Sequence, residues 1–325
     1  MKVNIRWIKR LTSGQQNIDI VKMINLRYCN YQGGGEYDLN GLKQDQWYDL
    51  IKHFSNSNQL ILIGNYSINR LQGQFKIQYR DTFEANSEFE LIGQGFIQKG
   101  KKEGYFIEVG NNFSEICQIQ FRGNYEEGIK EGKWEILFRN YKNESFIQIG
   151  GGSFQKGTKI NQWIDVDEEF CRFRQIIFKL QYKCGIKSGP CEILFKDLEK
   201  ENFQIIGQGE YNQNGLKDNQ WVEPNEGFWK NFQIFNEGSY QNGIKINQWY
   251  IKREMERITI IEQGQYNQQG KRHGFWCEFV NKGFKNFIIN IRGNYEDGKK
   301  VGNWVLYHHN TLQPTLWKEV KFSFR

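Results

Sequence analysis

The chain has 325 residues, with 44 Lys and Arg against 37 Asp and Glu for a net charge of +7, and a mean hydropathy of -0.74. One alanine, Ala85, stands beside 37 isoleucines, 25 Phe, 16 Tyr and 10 Trp. That balance excludes a helix bundle, since alanine is the best helix former and β-branched and aromatic residues suit a pleated sheet. No apolar run reaches the length of about 18 residues that a membrane span needs, and the aromatic content excludes a disordered chain.

In chain order, residues 1–32 form a first segment. DIVKMINLRY (19–28) alternates like a strand, and Trp7 reads as the remnant of a hairpin. The segment is expected to cap the first sheet edge. It lacks the apolar core of a signal peptide. A cytoplasmic location, with reduced thiols, is therefore expected.

Residues 33–307 repeat themselves. The copies align on a glycine two residues before an aromatic: Gly35, Gly64, Gly95, Gly123, Gly152, Gly209, Gly238, Gly264 and Gly293, with Leu180 filling one gap. The period is about 29 residues, and ten units result. A second block follows in fixed phase. It opens on Gly41, Asn69, Gly100, Gly128, Gly157, Gly185, Gly215, Gly243, Gly270 or Gly298. Two residues on comes a base: Lys43, Lys102, Lys130, Lys159, Lys187, Lys217, Lys245, Arg272 or Lys300, with Leu71 the exception. The fifth position admits only Gly, Asn and Asp45. The seventh holds Trp47, Phe75, Phe106, Trp134, Trp163, Cys191, Trp221, Trp249, Trp276 or Trp304.

Gly and Asn at the first and fifth positions are residues that tolerate a left-handed backbone, so the block predicts a tight turn between antiparallel strands. Flanking segments such as NFQIIGQGEY (202–211) and WEILF (134–138) alternate with period two. Each unit is a predicted β-hairpin. The array is predicted as an elongated, single-layer antiparallel β-meander rod. Parity puts the anchor glycine and the aromatic rings on one face, where the missing side chains leave room for rings to lie flat. The seventh-position aromatics are thus a structural ladder. The bases, one per turn, are expected to line one long edge, roughly 9.6 Å apart. They serve either as a solubility device at the hairpin tips or as a rail for an acidic surface. The tail, 308–325, contains Pro314 and the alternating LWKEVKFSF (316–324), which predicts a final capping strand or arm.

The Y-x-x-G-x-K-x-G-x-W pattern resembles the MORN repeat. Tyr125, Gly128, Lys130, Gly132 and Trp134 match it throughout, as do Tyr295, Gly298, Lys300, Gly302 and Trp304. The period here is longer than the family's usual 23 or so residues, which implies wider hairpins. The resemblance implies a single-layer β-meander that acts as a scaffold or membrane-skeleton linker, often dimeric. Some members are proposed to touch phosphoinositide headgroups.

No enzymatic constellation stands out. His53, His273, His308 and His309 lie in unrelated contexts. The cysteines, Cys29, Cys117, Cys171, Cys184, Cys191 and Cys277, form no C-x-x-C and no zinc spacing. Cys184 and Cys191 flank one turn, where a disulfide and two free thiols are the alternatives. Neither metal nor cofactor is expected. A net +7 over so long an array is dilute for nucleic acid. The expected function is a non-enzymatic scaffold that binds proteins in a cytoskeletal or ciliary assembly, with a homodimer within its range. The alternative is a peripheral adaptor that holds anionic membrane through the Lys and Arg ladder.

Overall fold

The computed structural model describes the backbone of residues 4–10, 19–25, 32–51, 54, 58–80, 88–254, 259–279, 288–310 and 313–322. Side chains are described from residue 33 to residue 306, less 52–53, 55–57, 81–87, 254–259 and 279–290. Cys29 and His53 lie outside the described residues, and His308 and His309 are described in backbone only. Among the described residues every regular element is a strand. The predicted all-β antiparallel meander is the fold observed, as an open sheet and not a closed barrel. Among the described residues no helix is long and apolar enough to cross a membrane.

The chain divides into two compact units, Met1–Lys159 and Ile160–Arg325. In the first, Asn4–Arg10 pairs with Asp19–Asn25, which continues onto Gln32–Tyr37. Gln32–Tyr37 pairs in turn with Lys43–Leu50, Gln59–Ser67 with Arg70–Arg80, and Gln118–Glu126 with Ile129–Arg139. The second unit repeats the plan. Gln175–Lys183 pairs with Ile186–Lys196, Gln233–Gln241 with Ile244–Glu254, and Ile288–Glu296 with Lys299–Asn310. Its last strand, Gln313–Phe322, is antiparallel to Lys299–Asn310.

The turn conformation follows from residue choice. All ten first positions have positive φ, from Gly41 at 77° and Asn69 at 61° to Gly298 at 82°. So do all ten fifth positions, from Asp45 at 55° to Gly302 at 66°. In seven hairpins the residue before the first position is left-handed too: Ile68, Lys99, Glu127, Lys156, Cys184, Asn242 and Asp297, at 46–50°. Two consecutive left-handed residues make the type I′ turn, whose twist matches that of the flanking strands. Three other hairpins close on a side chain. Asn212 Oδ1 accepts from the N–H of Asn214 at 3.0 Å and of Leu216 at 3.1 Å, and Asp38 and Asn267 do the same.

Gly132 isolates the backbone term, because a Cβ there would meet nothing within 4 Å at φ +67°. Gly132→Val is therefore expected to cost about 1–3 kcal/mol from strain alone. Gly132→Asn should cost only a few tenths, since Asn161, Asn219 and Asn247 hold the same conformation at 58–61°. Urea titration of both variants distinguishes the two losses, and equal losses would contradict the left-handed turn as the cause.

The fifth residue also shifts the register, as between Arg122 and Asn124. This leaves main-chain carbonyls unpaired on the ring side, and the indole uses them. Trp221 Nε1 donates to Asp218 O at 3.0 Å and to Glu210 O at 3.2 Å. Trp249 donates to Ile246 O and Ser239 O, and Trp276 to His273 O and Gln265 O. A buried indole N–H needs such a partner, and the turn supplies it. At the opposite ends of the strands, connecting loops fold a phenylalanine back onto the same face. Phe113, Phe170 and Phe228 are buried. Phe113 stacks edge-on against Tyr79 at 5.2 Å, and Phe228 against Phe195 at 5.1 Å. The ring rows thus lie on one face, while at the loop ends of the strands consecutive residues such as Ile136, Leu137 and Phe138 or Ile193, Leu194 and Phe195 are buried on both.

Candidate functional site

The seventh-position side chains are buried throughout: Trp47, Phe75, Phe106, Trp134, Trp163, Cys191, Trp221, Trp249, Trp276 and Trp304. They alternate with tyrosines in edge-to-face contact, the arrangement that ring quadrupoles favour. In the second unit the run is Tyr211, Trp221, Tyr240, Trp249, Tyr266, Trp276, Tyr295 and Trp304, with centroids 5.0–6.2 Å apart. The anchor glycines lie beneath the rings. A Cβ on Gly123 or Gly209 would fall inside the indole of Trp134 or Trp221.

One hairpin inverts the arrangement. Leu180 stands where the glycine should be, and Cys191 where the tryptophan should be, both buried. The bulk has moved from one strand to its neighbour. Burial pushes the Cys191 thiol up to about 12, whereas Cys184, in the turn, is exposed. Both are free thiols, so no disulfide joins them. Cys191→Trp alone should overpack and cost about 1–3 kcal/mol. The further change Leu180→Gly should recover most of that loss, with a coupling of at least about 1 kcal/mol in a thermal-unfolding cycle. Additive losses would show that the two positions do not share one space.

The ladder bases lie on the aromatic face rather than along an outer edge. Alternation along the strand sets this, since third and seventh positions share a side. Lys43 Nζ is 4.5 Å from the centroid of Trp47, Lys130 3.8 Å from Trp134, Lys217 4.7 Å from Trp221 and Lys245 4.1 Å from Trp249. Lys300 is 4.1 Å from Trp304, and the Arg272 guanidinium 4.5 Å from Trp276. Lys102 lies 5.3 Å from Phe106 and Lys187 5.2 Å from Tyr211. Lys159 is half-buried.

Carboxylates complete the site, and they follow a second rule. The residue six places after the base is Asp49, Glu108, Asp165, Glu223 or Glu278 in alternate hairpins, and Ile77, Ile136, Ile193, Ile251 or Leu306 in those between. Each acid accepts a hydrogen bond from the tyrosine seventeen residues on. The pairs are Tyr66–Asp49 at 2.6 Å, Tyr125–Glu108 at 2.8 Å, Tyr182–Asp165 at 2.7 Å, Tyr240–Glu223 at 2.8 Å and Tyr295–Glu278 at 2.6 Å. Glu108 binds Lys102 at 2.5 Å and Lys130 at 2.8 Å. Glu278 binds both Arg272 and Lys300. Asp49 binds Lys43, and Glu223 binds Lys217. The repeating chemical unit is therefore a pair of hairpins built around one shared carboxylate. The acids are missed when each hairpin is read as one copy, because the signal appears only at twice the period. Lys43, Lys102, Lys130, Lys217, Arg272 and Lys300, seated over rings and against carboxylates, form a partly buried network in which their charge is largely spent.

On the opposite face, the sixth position is glutamine in five hairpins: Gln46, Gln74, Gln162, Gln220 and Gln248. Gln220 donates to Ser239 Oγ at 2.7 Å; Gln46, Gln74, Gln162 and Gln220 are exposed, and Gln248 is half-buried. His273, expected in a turn, lies in the strand Arg272–Phe279 opposite Gln265, and its carbonyl accepts from Trp276 Nε1. Among the described residues no group of His, Cys, Asp and Glu is placed to hold a metal ion. No protein-family model matches this chain, and no curated protein matches it significantly.

Proposed function

We propose that the chain is a non-enzymatic, MORN-like scaffold that binds other proteins through its repeated hairpin surface, in a cytoskeletal or ciliary assembly of the cytoplasm. One observation carries this reading. The ladder bases are turned onto rings, six of them also against carboxylates, while on the opposite face the sixth position is a neutral amide in six of the ten hairpins. Amides supply donors and acceptors suited to protein surfaces. A lysine held by Glu108 or Glu278 has little free charge to offer an anionic bilayer, whose attraction is about 1 kcal/mol per close, unpaired base.

Parallel cosedimentation of the full chain with microtubules and with phosphoinositide-containing vesicles tests the proposal. Binding to the polymer that persists at high salt is expected. Gln162, Gln220 and Gln248 changed together to Glu should weaken it. Vesicle binding with a steep salt dependence and no polymer binding would overturn the proposal in favour of the membrane adaptor.

A further inference from the structure

In each hairpin pair a second row runs beside the rings, because directly opposed residues of neighbouring strands share a face. Opposite the acid stands a bulky apolar residue: Leu62 against Asp49, Phe121 against Glu108, Phe178 against Asp165 and Ile291 against Glu278. Next to the first three come Ile77, Ile136 and Ile193, and then Gly93, Gly150 and Gly207. One pair departs from this row twice. Asn236 stands opposite Glu223 where the others have a large apolar side chain, and Glu262 stands opposite Ile251 where the others have glycine. A Cβ on Gly207 would fall 2.2 Å from Val222 O, so a side chain at 262 needs room that the neighbouring pair lacks. The two departures meet at a cavity of ≈ 380 Å³ that both residues line, with Trp249, Tyr266 and Trp276 beside them. Asn236 Oδ1 accepts from Asn225 Nδ2 at 2.8 Å, which leaves the Asn236 N–H groups without an acceptor among the described residues. Glu262 lies 3.6 Å from Arg272. Charge is balanced there. Lys245 and Arg272 line the cavity against Glu226, Glu262 and Glu278, and Lys300 holds Glu278 from outside it at 2.7 Å. Three cations meet three carboxylates, so neither an anion nor a cation gains a net partner.

We propose that this cavity binds a neutral sugar, free or at the end of a glycan, with Asn236 and Glu262 as its polar contacts and the rings as its apolar walls. Hydroxyls both donate and accept. One sugar edge can therefore give to Glu262 and take from Asn236 without bringing charge into a balanced site. The C–H face of the sugar suits walls of indole and phenol. A wholly apolar ligand would strip water from both polar groups and put nothing in its place. Both departures remove what the row elsewhere uses for packing and supply hydrogen-bonding groups instead, and such a local break in an otherwise consistent pattern marks a site. The site stands whether or not the chain acts as a scaffold.

Tryptophan fluorescence of the full chain, titrated at constant ionic strength with glucose, galactose, N-acetylglucosamine, maltose and cellobiose, and with benzoate and spermidine as charged probes, tests it. Saturable binding of at least one sugar is expected, tighter than either charged probe by at least about tenfold. A disaccharide that binds tighter than every monosaccharide assigns a glycan end, and the reverse order assigns a free sugar. Asn236→Phe restores the row as Phe121 and Phe178 have it, and should keep the fold while lowering sugar affinity by at least about tenfold. Glu262→Gly restores the row at its other end and should do the same. No saturation by any sugar, tighter binding of a charged probe, or unchanged affinity in either variant would overturn the proposal. If neither variant folds, the indole N–H resonances of the unmutated chain decide. Those of Trp249 and Trp276 must shift saturably with the sugar, while those of Trp47 and Trp134, in the first unit, hold still.

Discussion

Trp221→Ala is expected to cost about 3–5 kcal/mol. The ring is 1% exposed, lies edge-on to Tyr211 at 5.1 Å and Tyr240 at 6.2 Å, and carries Lys217 on its face. Gly209, beneath it, has no side chain with which to fill the hole. The loss should also be local. In a repeat array each hairpin contacts only its neighbours, so amide exchange should accelerate over roughly 204–250 and stay unchanged in the first unit. Trp221→Phe keeps most of the area but leaves the carbonyls of Glu210 and Asp218 without their indole donor, for an expected cost of about 1–2 kcal/mol. Denaturant titration gives both values, and exchange that rises uniformly along the chain would refute the neighbour-limited picture.

Glu108→Gln is the second large effect. Removing the charge leaves Lys102 and Lys130 facing one another without their shared anion. A buried pair broken in this way costs about 3–5 kcal/mol, and the partial exposure of Lys102 reduces the expectation to about 2–3. Glu192→Gln, whose partner Lys179 is exposed, should cost less than about 0.5 kcal/mol. The pH dependence has a defined sign. Burial alone would raise the Glu108 carboxyl, but bonds from Lys102, Lys130 and Tyr125 outweigh it and hold the group below its ordinary value. Its contribution is therefore present above about pH 4–5 and is lost as pH falls through the folded value.

The tyrosines act on the alkaline side. Burial raises Tyr66, Tyr125, Tyr182 and Tyr240, and their bonded carboxylates raise them further. Burial and Glu278 bring Tyr295 to about 12. Their contribution is present below about pH 10 and is lost as pH climbs through the raised values. The urea midpoint should thus hold a plateau between about pH 5 and 10 and fall on both sides. Glu108→Gln should flatten the acid limb, and an unchanged acid limb would show that the carboxylate does not couple to folding.

The residues decide the fold because each local choice has one structural solution. Gly and Asn four residues apart admit a left-handed backbone where Val does not, so the hairpins, their turn positions and the antiparallel meander are readable from spacing alone. Alternation assigns the rings and the anchor glycines to one face, since a strand has only two. The same parity places Lys130 with Trp134, yet a base in a turn reads most simply as a charge in water, and an outer edge is the natural first assignment. Only the tertiary structure shows the lysine stem folded over the indole and its ammonium against Glu108, because that acid belongs to the preceding hairpin. The transfer of bulk from the Gly123 and Trp134 type of pair to Leu180 and Cys191 is likewise a fact of two strands lying side by side. Turn conformation depends on one residue's own sterics and is written locally. Which carboxylate neutralises which base, and that Asn236 and Glu262 meet at one cavity, depends on side-chain reach across neighbouring strands, and so was decided only when the strands came together.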